Sequence, residues 1–510
     1  MHLDNYNINE RTNIVEAFFR YCFGVLAFFI VGIKCAYLFN ILPSTLAVVG
    51  TVGILTICIL AIVFWQRIYD TILWKVKGID KLSYKKMLII IAAISFITKL
   101  LAIAIFHIES LNDGSDIDVY VTAAYELGTT GMATTHAGYL SSFSHMFWFG
   151  YFLSPIAGIF GVSQIAFSIY LTIVLTISSL LLFSAFAEQT DKNKAFIVFV
   201  IFNLLPGTIL LPQYITHEIA LLFFESIAVW IYFRCLPHCK KIALRIVMYI
   251  LFVILLFLAT LMNAAGLVMY IAFGILFLVQ VTKKFGVLTF RKFILKVLLL
   301  MVVFFVGGTI ANDIQQKHCD VPEEYILSDK LLWTLYVGGN VEYGGEWNLE
   351  DSQEFNSYDS EFTYDEIQQF RKDKVLTRYK ELISNVSNLG DLIKQKLITV
   401  WGVFEYSILY ANENIPDIHL QSIYNSWLDR PLLLLEYGAS VFASIICLAQ
   451  AIWNRKKGSD YALLIQLFLM GMTAMLMLTE CRNKYTIVLQ PFFWMACFVL
   501  GKKREAEKMK

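Results

Sequence analysis

The chain has 510 residues, 58% of them apolar, 15% aromatic and 16% charged, which is too apolar for a soluble globular domain and places it in a bilayer. A formal net charge of +1, with the basic residues spread over short loops, excludes a nucleic-acid-binding surface. Nine cysteines without paired spacing argue against a disulfide framework, and the cluster Cys235, His238, Cys239 lacks the second ligand pair of a structural zinc site.

Apolar runs of about 17 to 25 residues, each long enough to cross a hydrocarbon core, recur along the whole chain. The first, near 18–39, is followed at once by a second near 44–65, so it reads as a span and not as a cleaved leader. Further spans are expected near 87–107, 166–187, 195–211, 214–233, 246–261, 263–281, 294–311, 431–453, 461–479 and 484–501. The basic loop 66–86, then Lys192 and Lys194, Arg234 to Arg245, Lys283 to Lys292, Arg455 to Lys457 and the tail from Lys502 all fall on one side. The positive-inside rule makes that side cytoplasmic, together with both termini. The expected architecture is an all-α polytopic bundle of about twelve transmembrane helices, within eleven to thirteen.

Two long segments then face outward. The first, 108–165, contains no Lys or Arg, and its apolar stretch 139–160 is broken by Pro155 and carries Trp148 and Tyr151, as expected of a helix at headgroup level. The second, 312–430, is rich in Asp, Glu, Asn, Tyr and Trp and should form a small extracytoplasmic domain, with a charged helix at 364–382 and an interfacial stretch at 391–410. Four regions follow: an N-terminal two-span hairpin with its basic loop (1–86), a transmembrane core carrying the first outer loop (87–311), the outer domain (312–430), and C-terminal spans with a basic tail (431–510).

Three polar clusters stand at the outer ends of spans. Asn112, Asp113, Gly114, Ser115, Asp116 and Asp118 follow the third span: a turn opens a short helix whose first turn holds Asp116, where free backbone amides stabilise an anion. With no cation in that loop, these carboxylates can accept a proton or orient a hydroxyl. Tyr214, His217 and Glu218 begin a span, where burying ionisable groups is costly and so suggests function. Glu480, Arg482, Lys484 and Tyr485 lie between the last two spans, and their positive charge on the outer side calls for an anion such as a lipid phosphate. The bland readings are solvated loop charges, a satisfied interfacial pair, and an Arg482–Glu480 pair or ordinary headgroup contacts.

At these residues the chain resembles GT-C fold glycosyltransferases of the bacterial protein O-mannosyltransferase-like (family 39-like) superfamily. The pattern runs from about Met87 to the C-terminus: Ser115, Asp116, Tyr120 and Ala123; Phe160, Gly161, Val162 and Ser163; Tyr214 and Glu218; Gly339, Asn340, Gly344, Gly345 and Trp347; and Lys484, Tyr485 and Pro491. Two departures are Glu218, preceded by His where the family more often has Asp, and Lys484 in place of Arg, which keeps a point charge but not a bidentate fork. The resemblance implies a transferase that uses a sugar on polyprenyl phosphate at the outer face, with single displacement and inversion. Asp116, assisted by Asp118, would take the acceptor proton. Arg482 and Lys484, with Tyr485, would bind the lipid phosphate. Tyr120, Tyr214, His217 and Glu218 would position acceptor or donor, and Trp333, Tyr343 and Trp347 would stack on sugar faces.

The acceptor is a glycan, lipid or protein, and membrane lipids are the other partners. No cofactor is expected; the alternative is a divalent cation held by the Asp pair with His136 and His145. The competing class is a lipid or oligosaccharide transporter or flippase, for which Lys34, Asn203, Glu225 and Asn263 are the mid-membrane polar residues. A scaffolding subunit without chemistry is a third reading. Convergence of Asp116, Glu218 and Lys484 on one outer site would separate the enzyme from both.

Overall fold

The computed structural model describes residues 14–64, 67, 79, 81–111, 116–283, 287–319, 330–357, 363–403, 405–453 and 459–498. The turn at Asn112 to Ser115, the basic tail and the end of the last expected span lie outside them. Among the described residues every regular element is helical, with one isolated bridge between Ala133 and Cys319.

The elements follow in chain order. Helices α1 (Ile14–Ile41) and α2 (Ser44–Val63) pair across Pro43, and α3 (Tyr84–Phe106) begins where the Ser83 hydroxyl accepts the Lys86 N–H at 3.3 Å. Three helices fill the first loop: α4 (Asp116–Thr129), α5 (Ala137–Ser142) and α6 (Ser144–Phe160). Then come α7 (Gln164–Gln189), α8 (Lys192–Leu204), α9 (Pro206–Leu210), α10 (His217–Trp230), α11 (Ile242–Met262), α12 (Ala265–Lys283) and α13 (Val287–His318). The polar segment holds α14 (Lys330–Gly338), α15 (Leu349–Phe355), α16 (Tyr364–Ser384), α17 (Val386–Trp401), α18 (Ser407–Asn414) and α19 (Ile418–Ile423). The chain closes with α20 (Asp429–Trp453), α21 (Asp460–Leu478) and α22 (Leu489–Ala496).

Ten of these helical stretches are long and apolar enough to cross a membrane, and a bent pair makes an eleventh, so the chain is a multi-pass membrane protein. The bent pair stands where a straight span at 195–211 was expected. Its two pieces meet at 66°, because Pro206 has no N–H to offer and pushes Leu205 out of the helical region. The described part of the twelfth expected span is the short α22. The stretch 391–410 is not one element: α17 ends at Gly402, whose carbonyl accepts from the Lys34 ammonium at 3.0 Å.

The bundle has two distinct ends. At one, Lys283 of α12 bridges Glu16 of α1 at 2.8 Å and Asp460 of α21 at 2.9 Å. At the other, the far end of α21 meets α14 and α17, and the backbone of Glu109 bonds to Asn414 at 2.8 Å. The first loop and the 330–428 segment gather there. The N-terminal pair is part of the bundle, since α1 buries Ala27, Val31 and Leu38 against Tyr437, Ile445 and Leu448 of α20. In the polar segment Trp333, Tyr336, Val337, Phe355 and Val375 form a small separate core. It is clamped by Arg378, which donates to buried Asp351 at 2.7 Å and lies 3.5 Å from the Tyr336 ring centre.

Candidate active site

The first-loop helices are joined by small residues. A Cβ on Gly128 would stand 2.5 Å from the Ser154 carbonyl, and one on Gly150 would stand 3.0 Å from the Tyr120 carbonyl. Only glycine lets α4 and α6 come that close, and their contact fixes where α4 begins. Tyr120 anchors the pair from the other side: its ring lies edge-on to Phe149 at 4.9 Å, and its hydroxyl donates to the Ile215 carbonyl. It is thus a buried brace between the first loop and the Tyr214–Glu218 segment.

Asp116 opens α4 and is partly exposed. Its Oδ1 accepts the Tyr139 hydroxyl at 2.7 Å, and its Oδ2 faces Lys484 Nζ at 3.8 Å. Burial, followed by the charge of Asp116, pushes the Tyr139 phenol well above its ordinary range, so it stays protonated and donates. Asp118 is exposed and accepts from Thr122 at 3.5 Å within its own helix, so Asp116 alone of the two faces the cation.

Lys484 and Arg482 sit on the segment between α21 and α22, which is tied down at several points. Glu480 N–H donates to Thr334 O at 2.7 Å and Cys481 N–H to Gly345 O at 2.9 Å. Buried Lys396 of α17 donates to the carbonyls of Leu476, Met477 and Thr479 at the end of α21. Arg482 Nε pairs with Glu480 Oε1 at 3.0 Å, and its guanidinium lies 5.9 Å from the Trp347 ring centre. Burial works against the Arg482 charge, but Glu480, Tyr485, Asp116 and Glu346 together outweigh it and hold its pKa above the usual value.

The second cluster is buried beside the first. Glu218 accepts from the Thr216 hydroxyl and stands 3.2 Å from His217 Nε2, while Asn263 Nδ2 lies 2.8 Å from the same nitrogen. The ring of His145 packs edge-on to His217 at 4.9 Å. Phe143 joins the two clusters, its ring centre lying 6.3 Å from that of His145 and 4.7 Å from that of Tyr139, the partner of Asp116. Tyr214 is buried between Tyr406 and Tyr410, with ring centres 4.7 and 4.5 Å away.

Asp116, Glu218, Lys484, Tyr485 and Arg482 therefore come together at one end of the bundle from three distant parts of the sequence. The aromatic trio divides: Tyr343 and Trp347 are exposed, Trp347 beside Arg482, whereas Trp333 is buried against Phe355 at 5.3 Å, so its ring is committed to packing. Among the described residues no group of three or more His, Cys, Asp or Glu side chains is placed to hold a metal ion. His145 is buried, with its ring against that of His217. Tyr139 and Lys396 had no site role in the sequence, Glu480 entered there only as a pair for Arg482, and Asn263 only as a mid-membrane residue of the transporter reading.

Of the remaining polar residues inside spans, Lys34 donates to Gly402 O and to Ser440 at 2.8 Å, and Lys99 donates to Asn203 at 3.1 Å. These bonds tie helices together.

No protein-family model and no curated protein matches the chain. Among solved structures it is similar to the crystal structure of ArnT from Cupriavidus metallidurans bound to undecaprenyl phosphate, at 11% identity and a TM-score of 0.36, over 80% of this chain and 76% of that one.

Proposed function

We propose that this protein is a GT-C-like membrane glycosyltransferase that moves a sugar from a polyprenyl-phosphate donor to a glycan, lipid or protein acceptor. The reaction is placed at the extracytoplasmic face, because the basic loops favour the opposite end of the bundle as cytoplasmic. The observation that carries this reading is the partly open rim where the Asp116 carboxylate faces the Lys484 ammonium at 3.8 Å, with Arg482 two residues away.

Such a rim has the parts for a single displacement. The acceptor hydroxyl gives its proton to Asp116 as its oxygen forms the new bond to the anomeric carbon. The bond from that carbon to the phosphate oxygen breaks, and its electron pair leaves with the polyprenyl phosphate. Lys484 and Arg482 stabilise the charge that develops there, worth most where water is excluded. Attack from the face opposite the leaving group inverts the anomeric centre. Asp118, two residues further along the same helix, assists Asp116, and Tyr139 holds Asp116 in place. His217 and Glu218, being buried, position the site through the ring contacts of His145, Phe143 and Tyr139.

The test is sugar transfer from a panel of polyprenyl-phosphate sugars by reconstituted full-length protein, wild type against Asp116→Asn with matched thermal unfolding. Loss of a general base lowers turnover by about 10²- to 10⁴-fold. Product from wild type with an equally active variant moves the base to another residue. No product from any donor favours a transporter.

A further inference from the structure

The two cations that would receive a phosphate are already engaged. Lys484 Nζ stands 3.8 Å from Asp116 Oδ2, and Arg482 Nε stands 3.0 Å from Glu480 Oε1. The Lys484–Asp116 pair is too long for a hydrogen bond and 36% open to water on the Asp116 side, so it is loose. The other oxygen of Asp116 is held by Tyr139 at 2.7 Å.

This geometry sets two functions against each other. The Asp116 oxygen turned to Lys484 is not turned to an acceptor hydroxyl. The Lys484 ammonium, with that carboxylate beside it, attracts a phosphate less strongly because the neighbouring negative charge offsets its own. One exchange relieves both. Resting on the transferase reading, we infer that the donor phosphate displaces Asp116 from Lys484, so that binding of the donor is the event that unmasks the base. Tyr139 keeps its bond throughout and holds the freed carboxylate where the acceptor arrives. The order of binding is then donor first, and the empty site keeps its base masked.

The prediction runs against the usual effect of mutating an active-site residue: removing Asp116 should tighten the binding of the lipid phosphate. Undecaprenyl phosphate is titrated onto full-length protein in nanodiscs for wild type, Asp116→Asn, Lys484→Gln and the double variant, with Asp116→Ser as a second removal of the charge. Matched gel-filtration elution and thermal unfolding establish that each is folded. The expected result is about tenfold tighter binding for Asp116→Asn, between the values that Coulomb attraction takes in water and near a protein surface. Lys484→Gln should bind more weakly, and in that background the gain from Asp116→Asn should vanish. A gain that survives in Lys484→Gln shows plain repulsion at a distance and overturns the exchange. Equal or weaker binding by both folded Asp116 variants overturns it too, while leaving the transferase reading in place. Absence of binding by wild type and every variant overturns both.

Discussion

Replacing Lys396 by methionine tests how the segment bearing Arg482 and Lys484 is held. The side chain is fully buried, and its nitrogen donates to the carbonyls of Leu476, Met477 and Thr479 at 3.3, 3.1 and 2.7 Å. They lie at the C-terminal end of α21, where a helix cannot satisfy its own carbonyls. Stranding three buried acceptors costs about 4 kcal/mol in total, at a little over 1 kcal/mol each. Against this stands the cost of burying a charge. Desolvation lowers the Lys396 ammonium from 10.5 to about 8, although Cys481 and Glu480 pull the other way. That shift is worth about 3 kcal/mol at neutral pH.

Lys396→Met should therefore lose only about 1 kcal/mol near neutrality. The sign of the pH dependence follows from proton binding. Between the folded value of about 8 and the unfolded value of 10.5, the unfolded chain binds more protons, so this lysine's contribution to stability rises with pH. The gap between wild type and variant should widen as pH rises through this range, to less than the three-carbonyl total, because the neutral amine has two N–H groups for three carbonyls. Apparent unfolding temperatures of the two proteins in detergent, followed from about pH 7 to about pH 10, read this directly. A gap that narrows or stays level as pH rises would refute the reasoning, because it would mean that the carbonyls favour the charged ammonium over the neutral amine.

Three further outcomes are expected. Arg378→Ala should cost about 3–5 kcal/mol, since it leaves Asp351 buried without its cation; thermal unfolding and limited proteolysis within 330–384 measure it, and Arg378→Lys should recover part. Gly345→Ala should destabilise by about 1–3 kcal/mol and lower transfer. At φ +77° its new Cβ would stand 2.3 Å from Lys396 Cε and disturb the bond to Cys481, and unfolding and turnover measured together show both. Transfer should persist in EDTA; loss of turnover restored by a single divalent ion would place a metal in the mechanism.

The spans were legible because each is a local property: an apolar run either is or is not long enough. Even the bend at Leu205 was written in the chain, at Pro206, although run length alone hid it. Asp116 and Lys484 were legible as charges out of place beside a membrane. Their pairing was not, since 368 residues separate them and nothing local to either names the other. Lys396 was harder still, because a lysine opening an apolar stretch looks the same whether its nitrogen meets water or three carbonyls. Trp333 shows the converse error, in which an aromatic residue in a polar segment suggests a ligand surface until the packing of Phe355 is known.

The bonds of Lys34 also bear on how the protein is made. This lysine sits within α1, yet its partners Gly402 and Ser440 lie 368 and 406 residues further along the chain. At a synthesis rate of about 5–20 residues per second, roughly twenty to eighty seconds pass between the appearance of the lysine and that of the serine. During that interval the first helix carries an unsatisfied ammonium that the bilayer rejects. The bonds that seat α1 against Gly402 and α20 therefore form only once α20 has arrived, so the first of the described helices to be made is among the last to be seated.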